Sequence, residues 1–184
     1  MSYDYDAPHW LDQFEGRFTP AMKIVLSSGP IPGLIDMRGK QGVGFKPKGL
    51  WYACGDEWLE WLSSEMPDWR DQVTHIYQLH TAPLRPWPAN GPIAFLQTVN
   101  HIDEFTEDYG KKTPWSFGNR VDSIDWPAVA RDFPGGIEIC PYHWERRRSD
   151  ASWYYPWDVA SGCLWGPAGY RSLHLLATKP GGKK

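Results

Sequence analysis

Cysteine is scarce in this sequence, and none of Cys54, Cys140 and Cys163 forms a C-x-x-C pair with another. The odd number and the wide spacing indicate neither a disulfide framework nor a zinc site, and a reducing cytoplasmic setting is expected. No apolar run approaches membrane-spanning length, so no membrane partner is expected. The first residues, Met-Ser-Tyr-Asp-Tyr-Asp, lack the basic start and apolar stretch of a secretion signal. Charge of one sign is also missing: the net charge of -3 sets up no global field toward nucleic acid, although local basic patches stay open. The glycine-rich stretch over residues 31–48 is not followed by Gly-Lys-Ser/Thr, which argues against a nucleoside-triphosphate cradle. His75, His80 and His101 stand apart, without carboxylates at ligand spacing, so no metal is expected.

What is abundant is tryptophan, with 12 in 184 residues, several beside Pro or Gly. Such rings either line a ligand groove or fill a core built of short elements. The length suits a single domain large enough for its own core. The expected organisation is a lead-in over residues 1–20, one domain over residues 21–178 and a flexible tail over residues 179–184.

Taken in order, Pro8 opens a short helix with Trp10, Leu11 and Phe14 on its apolar side. Residues 23–26 (Lys-Ile-Val-Leu) read as the first strand and run into Ser27-Ser28-Gly29-Pro30, a turn-forming cluster. Residues 31–48 carry Arg38, Lys40, Lys46 and Lys48 among glycines and read as a mobile basic loop. Gly49 permits a tight entry into a strand over residues 50–53, after which Asp56 is placed to cap a helix. Trp58, Leu59, Trp61, Leu62 and Met66 form one face of that helix, and Pro67 is expected to stop it.

Residues 74–80 and 93–99 read as two strands, expected to pair as a hairpin around a proline-rich excursion. Asn100 is placed to cap a helix, with Asp103 at the reciprocal position, Ile102, Phe105 and Tyr109 on its inner face and Gly110 closing it. Asp125 starts a further helix with Trp126, Val129, Ala130 and Phe133 inward. In residues 137–141, Ile-Glu-Ile-Cys-Pro, alternation puts the two isoleucines on one face and Glu138 with Cys140 on the other. Strands disfavour Glu, so Glu138 either faces solvent or lines a cleft. The tail holds Arg146, Arg147 and Arg148, read as a solvated loop, then a Trp-rich run and a last strand over residues 173–177.

Gly-Leu-Trp-Tyr-Ala (residues 49–53), a short turn and an aromatic-rich helix resemble the second conserved element of the ADP-ribosyltransferases. Gly-Ile-Glu-Ile-Cys-Pro resembles the later strand that carries that family's catalytic glutamate. The resemblance spans about residues 21–141. It implies an α+β fold whose mixed or antiparallel sheet is split into a cleft flanked by helices. It also implies NAD as co-substrate, with no metal, and transfer of ADP-ribose to an acceptor that the sequence does not name. Tyr52 takes the position that stacks on nicotinamide, Glu138 that of the catalytic carboxylate, and Ser27 that of a first-strand residue which in the family is His or Arg. Ser28, Gly29, Lys46, Gly49 and Trp51 are the implied NAD-contacting set. A fixed carboxylate suits this reaction because loss of nicotinamide leaves an oxocarbenium-like sugar. Two rivals stand beside it. One is a binding module of the same architecture without turnover, which uses the Trp-rich tail and the basic loop to hold a protein, glycan or nucleic acid, and the other is a hydrolase using Glu138 with His143.

Overall fold

The computed structural model describes residues 8–114 and 116–181, so the extreme ends of the expected lead-in and tail lie outside the described residues. The architecture is α+β: one mixed seven-stranded sheet, a small three-stranded sheet and four α-helices. The strands of the large sheet are β1 (Lys23–Ser27), β3 (Leu50–Cys54), β4 (His75–Thr81), β5 (Ile93–Leu96), β8 (Gly136–Ile139), β9 (Ser161–Leu164) and β10 (Tyr170–Thr178), in the order β10-β4-β1-β3-β9-β8-β5. The small sheet joins β2 (Val43–Gly44), β7 (Ser123–Asp125) and β6 (Gly110–Lys111). The helices are α1 (Glu57–Ser64), α2 (Pro67–Gln72), α3 (Val99–Tyr109) and α4 (Trp126–Asp132).

The expected hairpin of the fourth and fifth strands does not form. β4 lies between β1 and β10, antiparallel to both, whereas β5 is the opposite edge of the sheet and pairs with β8 in parallel. The stretch from α3 to α4 makes the crossover between those parallel strands, and such a crossover needs a dozen or more residues. β5 is also shorter than expected, because Thr98 turns the chain and Val99 already begins α3.

One sheet face carries Ile24, Trp51, Ala53, Ile137, Ile139, Ser161 and Cys163; the other carries Lys23, Val25, Tyr52, Cys54, Glu138 and Leu164. This division follows from the registers of β1, β3, β8 and β9. The first face is covered by two separate helical packs. Leu59 and Leu62 of α1 pack with Ile24, Ile76 and the lead-in residues Leu11 and Phe18. Ile102 and Phe105 of α3 and Trp126 and Val129 of α4 pack with Ile137, Ile139 and the buried Trp153, Trp157 and Trp165. Burying each such aliphatic side chain contributes about 1.5–3 kcal/mol. The second face is closed by Ile31, Leu34, Ala82 and Leu84.

The helix ends differ from expectation in instructive ways. Thr98, not Asn100, caps α3, its hydroxyl accepting from the His101 amide at 3.2 Å, while Asp103 reaches Arg146. Asp125 caps α4 as expected, accepting from the Ala128 amide at 3.1 Å. Asp56 precedes α1 but does not bond its first turn; both carboxylate oxygens accept from the Phe18 amide, which ties the lead-in to the domain. Pro67, expected only as a stop, occupies the first turn of α2, where its missing N–H costs nothing. Gly110 ends α3 with φ -65°, not in the left-handed region. A side chain there would lie 2.3 Å from the Thr106 carbonyl oxygen, so the glycine serves close approach.

Candidate functional site: an aromatic cleft where two strands part

β1 hydrogen-bonds with β4 along its whole length, through Ser27 opposite His75. With β3 it pairs only at Lys23↔Cys54 and Ile24↔Ala53. Past that point β3 keeps only β9, on its other edge, and a wedge opens between residues 25–27 and 50–52. On the helical face of the sheet this wedge becomes a cleft of about 590 Å³. Leu26, Trp51 and Ser161 belong to the strands at its base, and Trp58, Trp61, Leu62, Met66, Trp69 and Val73 come from α1, α2 and their flanks. Lys46, Asp158, Ser27 and Ser28 also line it.

The local sequence explains this arrangement. Alternation in β3 turns Trp51 to the helical side, where its ring meets the edge of Trp157 at a centroid distance of 5.0 Å. The Lys46 ammonium sits 5.1 Å above the Trp51 ring, a cation–π contact that holds the residue over the cleft. Packing there lowers the Lys46 pKa, and the anionic Asp158 opposes the shift. Asp158 is the one carboxylate among the described residues lining the cleft, and it accepts from Arg147 at 3.0 Å. The tryptophans therefore divide: Trp51, Trp58, Trp61 and Trp69 line the cleft, and Trp126, Trp153, Trp157 and Trp165 are fully buried.

Four of the residues singled out in the sequence, Ser27, Ser28, Lys46 and Trp51, are brought together here. The Ser27 hydroxyl is engaged in its own turn, donating to the Gly29 carbonyl at 2.7 Å and accepting from the Gly29 amide at 3.3 Å. Gly49 serves packing: a Cβ there would lie 2.3 Å from the Leu164 carbonyl oxygen. The segment expected to be a mobile basic loop is tied down. Arg38 forms a two-pronged pair with Asp36, the Met37 amide donates to the Trp165 carbonyl, and Gln41 bridges to the backbone of Lys48. The Arg38 hydrogen bonds bring the Asp36 carboxyl down to about 2.

Tyr52 and Glu138 lie elsewhere: Tyr52 lines no open cleft, and Glu138 lines a second cavity, on the other face of the sheet, with Lys23 and Cys140. Both are on the opposite face of the sheet from Trp51, with no exposed surface. Tyr52 faces no open cleft: its ring packs over Gly162, where a Cβ would lie 2.3 Å from the ring, and its hydroxyl donates to Glu138 Oε2 at 2.9 Å. Glu138 does not face bulk solvent or the aromatic cleft; it borders the cavity on its own face of the sheet, where Lys23 Nζ donates to its Oε1 at 2.5 Å. Burial, and then the Glu138 charge, push the Tyr52 phenol well above its usual range. Burial disfavours the Lys23 ammonium, but the Glu138 charge and hydrogen bond together with the neighbouring Cys54 and Cys140 outweigh it and the pKa rises. The paired acid and base of a hydrolase are not assembled either: His143 Nε2 contacts the Gln97 carbonyl at 3.0 Å, and both Glu138 oxygens have other partners. Of the tail arginines read as a solvated loop, Arg146 and Arg147 are paired with Asp103 and Asp158.

Asp158 was missed in the sequence because it lies in an irregular Trp-rich segment with no period to place it. A signal was present in the step from Trp-Asp to the small residues Ala160, Ser161 and Gly162, which can run as a strand beside β3. Among the described residues no helix is long and apolar enough to cross a membrane. Comparisons with protein-family models, with curated proteins and with solved structures returned no match.

Proposed function

We propose that the aromatic cleft binds NAD and that the protein cleaves the nicotinamide–ribose bond to transfer ADP-ribose, with Asp158 supplying the carboxylate. The observation that carries this reading is the parting of β1 and β3, which leaves a tryptophan-walled cleft holding one carboxylate and one cation. A flat ring such as nicotinamide or adenine gains about 1–3 kcal/mol by stacking on an indole. Lys46 is placed to meet a pyrophosphate oxygen. Asp158, which lines the same cleft as Trp51, would stabilise the oxocarbenium-like ribose as nicotinamide departs, which lowers the transition state more than the neutral ground state. Trp51 takes the stacking role that the resemblance gives to Tyr52, and Asp158 the role that it gives to Glu138.

The Arg147–Asp158 pair favours a second reading, a binding module of the same shape without turnover, because a neutralised carboxylate stabilises a sugar cation less. One experiment separates the two. NAD is titrated against tryptophan fluorescence while nicotinamide release is followed, for the unaltered protein and for Asp158→Asn. Binding by both proteins, with release reduced by about two to four powers of ten in the variant, supports the transferase. Binding without release by either supports the module. No binding at millimolar NAD overturns the transferase and any module that holds NAD, and leaves a macromolecular partner for the cleft.

A further inference from the structure

On the face of the sheet opposite the aromatic cleft, two sulfurs and a carboxylate converge. Cys54 at the end of β3 and Cys140 just after β8 flank Ala160 from either side: the Cys54 amide donates to the Ala160 carbonyl, and the β8–β9 register, Ile139 opposite Ser161, places Cys140 beside it. Ala160, between the two cysteines, carries only a methyl group, while the Tyr52 ring covers Gly162. Donor atoms of Cys54, Cys140 and Glu138 lie within 4.8 Å of one another. A cation already sits among them, for Lys23 Nζ is 2.5 Å from Glu138 Oε1 and 3.7 Å from Cys54 Sγ.

We propose that Cys54, Cys140 and Glu138 form a zinc site, independent of the NAD reading, with its fourth position open to the adjoining cavity of about 770 Å³. Two thiolates and a carboxylate are a donor set that suits zinc, and with Zn–S bonds of about 2.3 Å tetrahedral sulfurs stand about 3.8 Å apart. The donors therefore need to close by about an ångström at most. A disulfide between the same cysteines is a poor alternative. Their strands are separated by β9, two spacings or about 9.5 Å of backbone, whereas a disulfide needs α-carbons within about 7 Å.

The surroundings are those of a metal ligand. Tyr52 holds Glu138 Oε2, which fixes the carboxylate and leaves Oε1 directed at the cation position. Charge also balances. Zinc displaces the two thiol protons, the ZnS2O centre carries one negative charge, and the Lys23 ammonium, moved aside toward Gln78 and His80 in the cavity, compensates it. Cys140 is partly exposed and gives the ion a way in.

The test uses the full chain, reduced and metal-free, titrated with cobalt(II) as a spectroscopic probe and then with zinc. The expected result is one cobalt per chain, a thiolate-to-cobalt charge-transfer band, intense visible bands of a tetrahedral field, displacement of cobalt by zinc and release of about two protons. Cys54→Ser and Cys140→Ser should each weaken the charge-transfer band and together remove it. Cys163→Ser, on the other face of the sheet, should leave it unchanged. Tyr52→Phe should lower affinity about ten- to a hundredfold without moving the bands. Absence of the charge-transfer band in the unaltered protein, a reading that needs no variant to fold, overturns the site. So does a band that survives the double substitution.

Discussion

At the scale of single residues, Lys23 and Glu138 illustrate how burial changes the meaning of a side chain. A glutamate between two isoleucines is conspicuous in the sequence, and the alternation that puts it opposite the isoleucine face is correct. What alternation cannot supply is the partner, because Lys23 lies 115 positions away in the chain. The outcome expected for Glu138→Gln in the metal-free protein follows from that partner. The substitution leaves a buried ammonium unpaired and should lower stability by about 3–5 kcal/mol, read from the denaturant midpoint. Adding Lys23→Met should recover much of the loss, since an uncharged pair no longer pays desolvation. Equal stability of Glu138→Gln and the unaltered protein would contradict the pairing. The sign of the pH dependence is fixed as well. Lys23 has its folded-state pKa raised, so its contribution is complete below the ordinary lysine value and declines only as pH climbs through the raised one.

Asp36 offers the acid counterpart. Arg38 holds its carboxyl at about 2, against about 4 in an unfolded chain. Its contribution to pinning the basic loop is thus present above pH 4 and lost as pH falls toward 2. A carboxyl-carbon NMR titration should give a midpoint near 2, and Arg38→Ala should return it to near 4. A midpoint near 4 in the unaltered protein would show that the pair does not persist in water.

At the scale of elements, the periods in the sequence located most strands and helices, including β1, β3, α1 and α4, because each is specified by neighbours a few residues away. Their pairing was less legible. β4 and β5 look like partners only because they are close in sequence, yet two strands, two helices and about 40 residues of chain separate β5 from β8, its actual partner. Caps were intermediate, since Thr98 and Asn100 are both good capping types two positions apart. What decided between them is that Thr98 has extended backbone, with its oxygen aimed at the His101 amide. Thr98→Ala should therefore cost about 1 kcal/mol, while Asn100→Ala, exposed within the first turn, should stay within about 0.5 kcal/mol. Thermal unfolding of the two variants checks this, and the reverse ranking would move the cap to Asn100. The cysteine cluster was invisible at this scale, because Cys54 and Cys140 meet across β9 rather than along any one element.

At the scale of the whole molecule, the two helical packs on one face of the sheet leave the aromatic cleft between them, and the sheet beneath it is the stretch where β1 and β3 exchange no ladder bonds beyond Ile24↔Ala53. A ligand seated there touches both sides of an opening that the backbone does not close. It should therefore slow exchange where ladder bonds are few and local opening is easiest. At saturating NAD, amide hydrogen exchange is expected to slow in residues 26–28 and 50–51 and across residues 58–69. It should stay unchanged in β5 and β8, which are held by their own parallel ladder. Protection confined to one wall would place the ligand on a helix surface instead of in the wedge. Protection centred on β8 would return the site to Glu138, on the other side of the sheet.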